Sequence, residues 1–171
     1  MKRLREVLLL ALAIFLFAGS AVAGEGEGQH DRLVPLLGEL DGWKAQPANG
    51  TSMVSARLKI ITARRAYSKV DKGLVVSLVV NSGPVQEGDL QESSAEDEHN
   101  KVFTARVNGF WIKTTYNKNK NSGQLVVYLA YKEDSHSKLL VNFSGMDASE
   151  ALLNIQKFDW DGMKVIVSPL L

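Results

Sequence analysis

No cysteine occurs anywhere in the chain, which excludes disulfide frameworks, thiolate metal centres, cysteine nucleophiles and the acylated N-terminal cysteine of a bacterial lipoprotein. Histidine is nearly as scarce. His30, His99 and His136 are the full set, and none stands in a metal-binding spacing such as H-E-x-x-H. Neither sign of charge dominates, with 20 Lys and Arg against 19 Asp and Glu. Nucleic acids and anionic membranes select a concentrated basic surface, so this balance argues against either as the main partner. A G-x-S-x-G elbow and a G-x-x-x-x-G-K phosphate loop are also missing, and the sequence proposes no catalytic centre. The expectation is a protein that is not an enzyme and carries no cofactor.

Long hydrophobic runs are absent after the first. Val7–Phe17 is apolar over 11 residues, well short of the roughly 20 that span a bilayer as a helix. Lys2, Arg3 and Arg5 precede it, and the small residues Ala21–Ala23 follow. This arrangement predicts a cleavable secretory signal over residues 1–23, cut after Ala23, then a flexible leader over 24–30 and a single domain over 31–171. No membrane anchor is expected after cleavage. Losing Lys2, Arg3 and Arg5 leaves 17 basic residues and losing Glu6 leaves 18 acidic ones, a net charge of about −1. An exported domain without disulfides suits a bacterial periplasm, with secretion as the alternative.

What is present reads as α+β. Leu33, Leu36, Leu37 and Leu40 recur at helical spacing and predict a short N-terminal helix with Pro35 in its first turn. Val54–Ile60 alternates apolar and polar residues, the period of a half-buried strand, and Val70–Gly73 reads as a turn into the apolar strand Leu74–Val80. Residues 81–100 are acidic, with little to bury, and read as a loop or a solvated helix. Three further strands are predicted: Val102–Tyr116, kinked at Asn108–Gly109, then Gln124–Tyr131 and Lys138–Ser144. The stretch from Asp147 opens in capping-box register with Glu150, and Ala148, Ala151, Leu152 and Ile155 give it a buried helical face. The sum is a meander-like antiparallel sheet of five to six strands, with an N-terminal and a C-terminal helix packed on it.

Two acidic groups could attract a hard cation: Glu96, Asp97 and Glu98 in the loop, and Asp159 with Asp161 in "FDWDGM". The loop lacks the alternating ligands and turn glycine of a calcium site. For "FDWDGM", a turn at Asp161–Gly162 anchored by Phe158 and Trp160 accounts for every residue. The cluster Arg57, Lys59, Arg64 and Arg65 reads as a solubilising edge or an anion-binding face. Period two along the central hairpin places Phe110, Ile112, Thr114 and Tyr116 on one side, which is core. The other side mixes Trp111, Lys113, Val126, Tyr128 and Asn142. That half-apolar face either lies under the N-terminal helix or the long loop, or is an exposed recognition surface, where Trp and Tyr are enriched.

The whole pattern resembles something. A signal segment, Gly42–Trp43 after a short helix, "RRAY" (Arg64–Tyr67) before a strand ending in "NSGP", then "VNGF", "LLVNFSG" and a closing helix with "FDWDGM" is similar to small exported bacterial proteins. Their α+β domains are broadly like the Mog1/PsbP-like group. The resemblance spans residues 31–165, carries no catalytic residues, and implies an accessory or binding protein. The functional expectation is therefore a non-enzymatic exported binding domain acting on an envelope protein or small ligand. A metal-binding or hydrolytic protein built on the acidic residues, and a structural subunit of an envelope assembly, are the alternatives.

Overall fold

The computed structural model describes residues 28–56 and 58–171. The predicted signal, leader residues 24–27 and Arg57 lie outside the described residues. The rest is mostly β. Nine antiparallel strands form one sheet: β1 (Lys44–Ala45), β2 (Asn49–Val54), β3 (Lys59–Lys69), β4 (Lys72–Ser82), β5 (Ser93–Glu96), β6 (Asn100–Val107), β7 (Phe110–Asn117), β8 (Ser122–Tyr131) and β9 (Ser135–Ser144). Two short helices close the chain, α1 (Ala148–Ile155) and α2 (Trp160–Val167). The expected α+β fold, a meander-like sheet of five to six strands with a helix from each end packed on it, is thus replaced by a nine-stranded sheet with little helix.

The strand order is β1-β3-β4-β9-β8-β7-β6-β5, with β2 also on β3. β5 to β9 form a meander of sequential neighbours, and β4 joins that meander by pairing with β9, from Gly73 opposite Ser144 to Ser82 opposite Ser135. β1 and β2 share one edge of β3: Lys44 and Ala45 oppose Ser68 and Tyr67, and Asn49–Val54 oppose Arg64–Lys59. Pro47 lies in the break between them, where a residue without an N–H cannot continue a ladder.

Each misread element has a local reason. The leucine stripe is not an α-helix but two 3-10 turns, Gln29–Arg32 and Val34–Leu36. Pro35 removes one donor, yet Leu33, Leu37 and Leu40 still reach the core. The predicted strand Val54–Ile60 is interrupted: Val54 ends β2, Lys59 and Ile60 begin β3, and between them Ser55 N–H donates to Leu58 O at 2.8 Å. Asn108–Gly109 is a two-residue hairpin turn with both φ angles positive, 50° and 83°, so β6 and β7 are two strands where one kinked strand was expected. The acidic loop holds a 3-10 turn at Glu87–Leu90 and the edge strand β5. Asp161–Gly162 lies in the first turn of α2, in place of the expected reverse turn.

One sheet face carries the core. Ile61, Ala63, Tyr67, Leu74, Val76, Leu78, Leu125, Val127, Leu139 and Val141 are buried there against the leucines of the N-terminal turns and against Ala151, Ile155, Trp160, Met163 and Val167 of the helices. Aromatic edges lock this contact: Phe110 meets Trp160 at 5.7 Å between centroids and Tyr67 meets Phe158 at 6.0 Å. Asp147 caps α1 by accepting from Glu150 N–H at 2.8 Å, but the Glu150 carboxylate turns to Lys72 and does not close the box. Asp159 caps α2 in the same way through Gly162 N–H, at 2.8 Å. Among the described residues no helix is long and apolar enough to cross a membrane.

Candidate functional site

The second sheet face gathers the predicted surface residues. Cross-strand register places Trp111, Tyr128 and Lys138 in one row, Lys113, Val126 and Leu140 in the next, and Thr115, Gln124 and Asn142 in the third. These nine side chains project from β7, β8 and β9 on the face opposite the helices, as period two requires. All five residues singled out from the sequence, Trp111, Lys113, Val126, Tyr128 and Asn142, belong to this grid.

The acidic segment folds over part of it. Gly83 N–H donates to Asp134 O at 2.6 Å, and the buried His136 donates from Nδ1 to Gly83 O at 2.9 Å, which fixes where the segment leaves β4. It then turns at Glu87–Leu90 and places Asp89 over the grid. The Lys113 ammonium donates to Asp89 Oδ1 at 2.7 Å and the Tyr128 phenol donates to Oδ2 at 2.6 Å. Tyr128 is only 6% exposed, so the long loop covers this aromatic. Trp111 stays half-exposed, with the Arg106 guanidinium 4.7 Å from its ring centroid. Asn142 is exposed and accepts from the Gln124 amide at 3.0 Å.

The electrostatics follow from that geometry. Burial opposes ionisation of Asp89, but the hydrogen bonds from Lys113 and Tyr128 and the nearby charge of Lys138 outweigh it and hold the carboxyl below its usual range. Burial pushes the Tyr128 phenol up, and the Asp89 carboxylate beside it adds to the rise. Tyr128 is thus a fixed donor. A hollow of about 330 Å³ remains beside Asp89, floored by Val126 and Leu140 and flanked by Thr115, Gln124 and Lys138.

The acidic residues do not assemble a metal site. Among the described residues no three His, Asp or Glu side chains converge. Glu96 pairs with Lys118 at 2.8 Å and Lys101 at 3.2 Å, which hold its carboxyl below the usual range. Asp97 accepts from His99 N–H at 2.7 Å and Asn100 N–H at 2.6 Å, and so turns the chain from β5 into β6. Asp159 is engaged as a helix cap, and Arg65 of the basic cluster is a staple: it donates to Leu37 O and Gln46 O, each at 2.8 Å, and pairs with Glu39.

A second concavity was not foreseen from sequence. On the helix-bearing face, a groove of about 870 Å³ opens between the start of α1 and the outer strands, lined by Phe103, Ala105 and Tyr116 with Lys101, Ser94 and Asp147–Ser149 around them. Phe103 pairs across the ladder with Thr114, whose fully buried hydroxyl has no hydrogen-bond partner among the described residues. Tyr116 stacks on Phe143 at 6.1 Å and donates to Asn121 Oδ1 at 2.7 Å. The signal for this groove lay in the alternation from Lys101 to Val107, which is visible once Asn108–Gly109 is taken as a turn. Comparison with protein-family models, curated proteins and solved structures finds no match.

Proposed function

We propose that the chain is a non-enzymatic exported binding or accessory domain, and that an extended segment of an envelope protein docks in the groove beside β5. The observation that carries this reading is that the apolar face of the sheet runs on past the helices. Phe103, Ala105 and Tyr116 continue the core face across β6 and β7 but are only partly buried. Beside them runs β5, exposed at all four residues and, among the described residues, without a strand on its outer side. An open strand edge next to an apolar trough is the arrangement by which one chain adds a strand to another, main chain to the edge and alternate side chains into the trough. The resemblance to small exported bacterial proteins points the same way.

The test is site-specific photo-crosslinking in the source cell. A crosslinker at Ser94 or Ser149 should capture one defined partner, whereas one at the exposed Val70 or Val165 should not. Equal capture at all four positions, or none at the groove, rejects the reading. Export is checked separately by N-terminal sequencing of the mature protein, which should begin at Gly24.

A further inference from the structure

The hollow on the opposite face stands apart from the groove and has a charge pattern of its own. Asp89 is engaged at both oxygens, with Lys113 on one and Tyr128 on the other. Lys138 is the remaining cation at the hollow. It is half-buried, and among the described residues it has no carboxylate within 4.0 Å and no hydrogen-bond acceptor. Lys113, Asp89 and Lys138 together leave one unmatched positive charge above an apolar floor. A partly desolvated ammonium is stabilised by an anion far more than a fully hydrated one is.

We infer that this hollow binds a small monocarboxylate, whose anionic end meets the Lys138 ammonium and whose short apolar stem lies on Val126 and Leu140. Its volume of about 330 Å³ lies at the small end of ligand pockets, which run from roughly 300 to 1,000 Å³. One free ammonium matches one negative charge, and Asp89 repels a second. The Thr115 hydroxyl on the far wall offers a further polar contact. Two sources share this chemistry: a free short-chain acid, and the C-terminal carboxylate of a polypeptide.

The test is NMR titration of the ¹⁵N-labelled protein with sodium butyrate, with butyramide as the neutral isostere, and with acetyl-alanyl-valine as a free acid and as its amide. The expected result is saturable shifts at Val126, Lys138 and Leu140 with a carboxylate, at least tenfold weaker binding for the matched amide, and at least tenfold weaker binding in Lys138→Met. Lys138→Arg should retain binding within a few-fold, which separates loss of charge from loss of fold. Binding of butyrate alone supports the inference with a free acid as the ligand, and binding of the dipeptide alone supports it with a chain terminus. Silence from both carboxylates, equal response to the amides, or undiminished binding in Lys138→Met overturns it.

Discussion

Tyr128 donates its phenol hydrogen to the carboxylate of Asp89, 39 residues earlier in the chain, at 2.6 Å. A core-strand side chain and a loop side chain thereby hold the acidic segment against the sheet. Tyr128→Phe removes that donor and leaves a partly buried carboxylate oxygen short of a partner. Hydrogen bonds to charged groups contribute about 1.5–3 kcal/mol, so stability should fall by about 1–3 kcal/mol in urea denaturation. Amides of residues 86–91 should also exchange faster with solvent, while those of β8 and β9 keep their protection in conditions that favour the fold. Unchanged exchange at 86–91 would show that Asp89 does not anchor the segment.

The same contact has a pH signature. Hydrogen bonds and nearby lysines hold the Asp89 carboxyl below its unfolded value in spite of burial, so the unfolded state binds more protons as pH falls through that interval. The contribution is complete above the unfolded pKa of about 3.9 and disappears as pH drops through the folded one. Wild type should therefore lose stability between about pH 5 and pH 2 faster than Asp89→Asn. Parallel pH curves for the two proteins would contradict this, since Glu96 and Asp97 titrate in both.

Arg65 bridges three segments with one planar group: Leu37 O, Gln46 O and Glu39. Lysine presents a point charge on a flexible stem and cannot hold all three acceptors at once. Arg65→Lys should cost about 1–3 kcal/mol by leaving partly buried carbonyls unmatched. Loosening should be confined to residues 33–46, measured by hydrogen exchange of the folded protein. A change within 0.5 kcal/mol would mean that the fork is dispensable.

Val70 occupies the two-residue turn between β3 and β4 with φ at 51° while 94% exposed. A β-branched side chain is strained in that backbone region, at about 1–3 kcal/mol, and this one gains nothing from burial. Val70→Gly should therefore raise stability by about 1 kcal/mol, after the added freedom of glycine in the unfolded chain is counted. A fall in the urea midpoint would refute the strain.

The central strands were legible because their chemistry is local. Leu74–Val80 is apolar on both faces, and period two along Trp111–Tyr116 and Gln124–Tyr131 placed the grid residues on a common face before any register was known. β5 was illegible for the opposite reason. Ser93, Ser94, Ala95 and Glu96 bury nothing, and only the ladder to β6 makes them a strand. Asn108–Gly109 is a readable signal, since that pair between alternating apolar residues is the strongest short-range mark of a hairpin. Splitting the strand there would have revealed Phe103, Ala105 and the groove. The Asp89 clasp has no such signature, because its partners lie on β7 and β8 and meet it only in three dimensions.

The β4–β9 ladder divides the chain in a way that strand order alone does not convey. Among the described residues every other ladder joins strands on the same side of residues 83–92, so β1 to β4 form one piece and β5 to β9 with both helices form the other. A nick between Pro84 and Glu87 would break no ladder. The protein is in this sense a strand-complemented pair of fragments written as a single polypeptide, with β4 as the donated strand.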